Sequence, residues 1–211
     1  MDDSLPLKAF LVLAAFCLVL GMGAMVVAKG SPEHRLIGRI SLFMFSATGL
    51  AGLFWSMPSG QDYPGFCSVL ALYLVAAGRI WLRRSGPNRI ERAISGMALV
   101  GSFALVATAA SVMAGFRAET MGIDAAPMAF GFGLIGIAVA RSNVLDFERA
   151  LDLPARQRRH GAHMIGAAGA IGSALGYACA DRFGLDAYLL AGLAAIGFGL
   201  PLILLPRRHI S

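Results

Sequence analysis

The chain has 211 residues, of which 57% are hydrophobic and only 14% charged, and its mean hydropathy is +0.71. A soluble domain carries about a quarter charged residues, one core of this size cannot hide so much apolar surface, and disordered chains are polar and highly charged. The net charge of +6 sits in short segments between apolar runs, not along one polar helix or tail. That placement excludes a nucleic-acid reader and fits loops facing anionic headgroups.

A helix crosses a hydrocarbon core about 30 Å thick with about 20 apolar residues. Seven stretches meet that need in chain order: 7–28, 40–57, 64–82, 93–116, 125–140, 164–180 and 187–205. The first follows an acidic start, Asp2-Asp3, where a signal peptide would be basic, so it reads as a retained helix. In the third, Arg79 lies in the last turn and can snorkel outward. The fifth is the shortest and holds Pro127, Gly131, Gly133 and Gly136. The sixth is nearly all small, with a Gly172–Gly176 pair at the spacing that lets helices approach closely, and is expected to sit centrally. The seventh repeats the idea with Ala191, Gly192 and Ala195.

The longest connection, 141–163, is too short for a soluble domain and predicts a short helix over 143–151 capped by Asn143. The expected fold is therefore all-α: a single integral membrane domain over 1–211, built as a seven-helix bundle.

Orientation follows from the arginines. With seven spans, Lys29, Arg35, Arg39, Arg79, Arg83, Arg84, Arg89 and Arg92 share one side with all the later basic residues except Arg117 and Arg182. Only Lys8, Arg117 and Arg182 of the 18 fall opposite, among Asp2, Asp3, Asp62, Glu119, Asp124, Asp181 and Asp186. The positive-inside rule then puts the N-terminus outside and the C-terminus in the cytoplasm. Trp55 and Trp81 at span ends, with Tyr63 and Tyr188, read as an aromatic belt. Tyr73 and Tyr177 lie deeper and need hydroxyl partners. Cys17, Cys67 and Cys179 show no metal spacing and read as buried small hydrophobes, although the topology leaves a Cys67–Cys179 bridge open.

No ionisable residue lies near the middle of any span, which disfavours a proton-driven pump with a midplane carboxylate. Polar chemistry gathers instead at the cytoplasmic rim. Glu33-His34-Arg35 leads into the second span, and Arg159-His160-Gly161-Ala162-His163 leads into the sixth. Histidines His160 and His163, three apart, share a helix face. His34 and His160 on one membrane side would suit the two axial ligands of a haem b or another redox cofactor. Arg35, Arg39 and Arg159 would then compensate propionates, or the same residues would bind lipid headgroups. With His163 added, the three histidines would make a metal site.

No catalytic arrangement, phosphate loop, dinucleotide fingerprint or zinc signature is legible, so a non-enzymatic protein is expected. Two alternatives remain open. One is a small transporter of an uncharged molecule past Ser46, Thr48, Ser102 and Thr108. The other is a structural or assembly subunit using the sixth and seventh spans as a face for a copy of itself or a membrane partner.

Three segments carry a resemblance. Lys29-Gly30-Ser31-Pro32-Glu33-His34-Arg35-Leu36-Ile37-Gly38-Arg39 resembles the KGxxxHRxxGR element of the DUF2306-like predicted membrane proteins of bacteria. Leu70-Ala71-Leu72-Tyr73-Leu74, with Gly78-Arg79 and Arg83-Arg84, is similar to a second element, and His160-Gly161-Ala162-His163-Met164-Ile165-Gly166-Ala167 to a third. The three occur in the family's order. The resemblance implies a bacterial cytoplasmic (inner) membrane location and makes His160 the family histidine, but it brings no settled activity.

Overall fold

The computed structural model describes residues 4–28, 30–60, 62–82, 88–116, 126–147, 151–184 and 186. Among these the chain is all-helical: α1 (Leu5–Val26), α2 (Pro32–Ser59), α3 (Asp62–Ile80), α4 (Arg89–Met113), α5 (Ala126–Phe147) and α6 (Leu153–Phe183). The first five are long and apolar enough to cross a membrane. Helix α6, dominated by Gly, Ala and a charged first third, is not among them. The expected span 187–205 lies outside the described residues.

Helix starts are set by capping side chains, not by where the apolar run begins. Ser31 accepts from the His34 amide, with Pro32 in the first turn, so α2 starts eight residues before the apolar stretch at 40. Asn88 and Glu91 bond each other's backbone amides in a capping box at the head of α4. Asp152 accepts from Ala155 N at 2.7 Å and starts α6 well before residue 164. Helices α2 and α6 stop at Gly60 and Gly184, whose φ values of 65° and 61° suit a residue without Cβ.

Consecutive helices run antiparallel, and small residues set how closely they pass. A side chain at Gly49 or Gly52 of α2 would collide with Leu72 or Ser68 of α3. Gly133 and Gly136 of α5 sit against Val106 and Ser102 of α4, so two of the three glycines that make the fifth stretch look weak are its packing surface. Gly78 of α3 faces His163, and Gly166 of α6 faces Leu74. Tyr63 and Ser173 share a hydrogen bond of 2.5 Å at the other end of the α3–α6 pair. The ends of α1, α3 and α5 and the starts of α2, α4 and α6 therefore gather at one end of the bundle. Arg35, Arg39, Arg79, Arg89, Arg92, Arg141, Arg156, Arg158 and Arg159 all belong to that end.

Helix α6 is central, as its composition predicts. It touches α1, α2 and α3. Its Ala167, Ala168, Ala170, Ile171 and Ala174 pack with Phe10, Cys17, Phe45, Cys67 and Leu74 in the main core. These small residues pack within the chain. Phe16, Val19, Phe43, Phe54, Val100 and Phe103 point outward, as expected of surfaces that meet lipid.

Four expectations are corrected. Residues 143–147 do not begin a separate helix but continue α5 without a break to Phe147, and Asn143 is a buried residue within that helix, not a cap. Trp55 and Trp81 are buried and form no belt: Trp55 stacks on Phe10 at 5.4 Å, and Trp81 lies 5.3 Å from Phe147. Tyr63 is buried as well, between the rings of Phe132 and Tyr177. No disulfide joins Cys67 to Cys179. Cys67 lies beside Ser173, and Cys179 is six residues further along α6, about 9 Å at the helical rise, beyond disulfide reach.

Gly52→Ala is expected to lower stability by about 1–3 kcal/mol through overpacking against Ser68. Gly38→Ala, where an added methyl meets nothing, should be neutral or gain up to about 1 kcal/mol from helix propensity. Loss of helical circular dichroism during unfolding in mixed micelles measures both.

Candidate functional site

The basic end of the bundle carries all three rim histidines, each tied by Nδ1 to a backbone carbonyl. His34, in the first turn of α2, bonds Ala24 O of α1 at 3.1 Å. His160 of α6 bonds Gly78 O of α3 at 3.0 Å. His163 bonds Arg159 O of its own helix at 2.6 Å. A carbonyl can only accept, so in each ring Nδ1 carries a proton, and in the neutral ring Nε2 has the lone pair. Oriented this way, a neutral imidazole presents Nε2 as its ligating atom.

His34 and His160 lie within electrostatic reach of each other. Burial lowers the proton affinity of His160 below that of an ordinary histidine; the Gly78 carbonyl opposes the shift and His34 adds to it. His163 is buried more deeply, and its pKa falls to about 4, chiefly by desolvation. Both are neutral imidazoles at neutral pH. Arg35 and Arg39, one turn apart on α2, are exposed beside this end.

Arg159 is already engaged. Its guanidinium pairs with Asp146 of α5 and donates to Ser142 Oγ at 2.7 Å. Asp146 is buried, while the arginine side chain is 38% exposed. Next to this pair, Trp81 Nε1 donates to Asn143 Oδ1 at 3.3 Å, and Asn143 Nδ2 donates to the Tyr73 hydroxyl at 3.0 Å. Tyr73 thereby finds the partner it needs. Arg156 Nε donates to the Trp81 carbonyl at 3.2 Å, closing the end of α3. Arg159 is thus a structural clamp between α5 and α6 before it is a counter-charge for any ligand.

Between α3, α5 and α6 lies a cavity of about 440 Å³. Leu74, Phe132, Val139 and Ile165 supply apolar wall, while Ser142, Arg159 and His163 stand at its basic end. Sequence reasoning missed it, because its wall comes from three helices that look like ordinary apolar runs. Asp146 was missed too, since nothing in a linear pattern pairs it with Arg159 across a loop.

Three rim histidines do not form a metal centre. Among the described residues no group of three or more His, Cys, Asp or Glu is placed to hold an ion. The physical reason is that each ring is drawn to a different backbone carbonyl. Ser46 and Thr48 donate to Leu42 O and Met44 O of their own helix, at 2.9 and 2.7 Å. Compared with known proteins, the chain matches no family model, no curated protein and no solved structure.

Asp146→Leu is expected to cost about 2–4 kcal/mol, because it strands the partly buried Arg159 charge. Adding Arg159→Leu should recover at least half of that loss. Chemical unfolding of the two single variants and the double variant, compared as a cycle, measures the coupling.

Proposed function

We propose that this chain is a seven-span protein of the bacterial cytoplasmic membrane, N-terminus outside and C-terminus inside, related to the DUF2306-like membrane proteins. Its cytoplasmic rim holds a haem b, or a similar redox cofactor, between His34 and His160. The five membrane-length helices and the gathering of arginines at one end of the bundle support the orientation. Residues 164–180 and 187–205 supply the sixth and seventh crossings in this reading.

One observation carries the cofactor reading. His34 and His160 come from different helices, lie within electrostatic reach of each other, and each has Nδ1 fixed on a backbone carbonyl, which leaves Nε2 of the neutral ring as the nitrogen open to a ligand. That is the form an iron ligand requires. An anionic headgroup would instead favour protonated imidazole, and burial opposes protonation of His160. Arg35 and Arg39 are the cations available to propionates, since Arg159 is held by Asp146. A bound haem supplies one-electron transfer; the protein supplies orientation, charge compensation and a place at the cytoplasmic surface. The protein is then an electron carrier or sensor without a substrate reaction of its own.

Detergent-purified protein from haem-replete cells should show a Soret band and a reduced α-band, both lost in His34→Ala and in His160→Ala. A colourless wild-type protein would sink the reading. For orientation, a fluorescent reporter fused after Arg208 should fold and fluoresce, whereas a periplasmic phosphatase fused there should be inactive. The opposite pattern would reverse the topology.

A further inference from the structure

The cavity between α3, α5 and α6 is a half-open groove with two chemically different parts, and the rim reading uses neither. Leu74, Phe132, Val139 and Ile165 make most of its wall apolar. Ile135 and Ala138, which line its α5 side, are exposed. With the helices across a membrane, that open flank meets lipid, so an occupant can enter sideways from the bilayer.

At the basic end the charges do not balance. Arg159 lines the groove, and its ion pair with Asp146 is neutral as a unit. A guanidinium carries five N–H donors. Arg159 uses two, on Asp146 and Ser142, and the others have no partner among the described residues. Arg156 lies one turn earlier on the same face of α6. Its Nε is on the Trp81 carbonyl, and its two terminal nitrogens have no partner among the described residues. Arg141 is exposed on α5, three residues from Ala138. Three arginines thus stand around one buried carboxylate. Asp152, the next acid along α6, caps that helix, and Arg158 is exposed in the same turns.

An excess of positive charge at the end of an apolar groove fits an amphiphile with an anionic head. Basic pockets between membrane helices recognise acidic phospholipid headgroups by this combination. The bond to Asp146 helps, because it holds the Arg159 guanidinium in place and less freedom is lost when a phosphate binds. A zwitterionic headgroup brings its own cation and answers the excess charge less well. The stretch 187–205 contains no acidic residue and offers these arginines no counter-charge.

We propose that the α3–α5–α6 groove binds an acidic phospholipid of the surrounding bilayer, its phosphate held by Arg141, Arg156 and Arg159 and an acyl chain lying along the apolar wall. The site rests on the helices crossing a membrane and not on the His34–His160 pair, so it stands whether or not the rim holds a cofactor.

The test uses the full-length protein in phosphatidylcholine nanodiscs. These are doped with phosphatidylglycerol or phosphatidylcholine that carries a photoreactive diazirine on one acyl chain, and labelled peptides are mapped by mass spectrometry. Phosphatidylglycerol should label the groove-lining residues between 132 and 142 and between 162 and 173. The yield there should exceed that of its phosphatidylcholine counterpart about fivefold or more. Outward-facing Phe16, Phe43 and Phe54 should show no such preference. Arg141→Gln combined with Arg156→Gln, which leaves the Arg159–Asp146 pair intact, should remove the preference in the groove. Arg35→Gln combined with Arg39→Gln, on the α2 side of the rim, should leave it. Ala138→Phe should block the wall and reduce groove labelling by both lipids. Equal groove labelling by the two lipids would overturn the proposal, as would a preference that survives Arg141→Gln with Arg156→Gln. Groove labelling unchanged in Ala138→Phe would do the same. Displacement of the labelled lipid by free sn-glycerol 3-phosphate would also overturn it, since the headgroup alone would then suffice.

Discussion

The antiparallel register between α3 and α6 is the constraint on which the rest of the molecule depends. It is pinned at one end by Tyr63 with Ser173 and at the other by His160 with the Gly78 carbonyl. Between these pins Gly78 and Gly166 remove the Cβ atoms that would hold the helices apart. In lipid, helices gain little from hiding apolar surface from each other, so close backbone approach and buried polar contacts must supply the association. Fixing α6 against α3 also fixes where its first third emerges, and hence where Arg156, Arg159, His160 and His163 come to rest.

The same physics explains why polar atoms are so unevenly used. Most hydroxyls within the helices, such as those of Thr48, Ser59 and Ser111, bond the turn before them and are satisfied without any neighbour. Side chains that reach between helices are fewer and cluster at the basic end: Trp81 with Asn143, Asn143 with Tyr73, Arg159 with Asp146 and Ser142. Apart from the Tyr63–Ser173 bond, the apolar two thirds of the bundle is held by shape, while the basic third is held by directional bonds. The proposed cofactor site falls where those two regimes meet, where one ligand finds a dry wall and a polar anchor together.

The sequence made the helical class, five of the membrane-length helices and the central place of α6 legible. Each follows from hydropathy or from small-residue content, which are local properties. Helix boundaries were not legible from hydropathy, because Ser31, Asn88 and Asp152 start helices in polar sequence that an apolar window does not see. Asn143 was misread for a related reason: an asparagine before a polar stretch looks like a cap unless its buried partner, Tyr73, is known. Trp55 and Trp81 were misread because their distance from a span end says nothing about which face of the helix they occupy. At the candidate site, the histidines were visible as a cluster at one rim. The carbonyls that orient them come from α1, α3 and α6 itself, and only the fold brings those together.

Helix α6 has 31 residues, about 46 Å at 1.5 Å per residue, against a hydrocarbon layer about 30 Å thick. In the proposed topology, with its apolar part matched to the bilayer, its arginine-bearing first turns stand proud of the oily layer, braced by the extended end of α5 through Asp146. In that topology the two helices form a collar in the headgroup zone. A water-borne molecule approaching from that side meets structured backbone before it meets lipid.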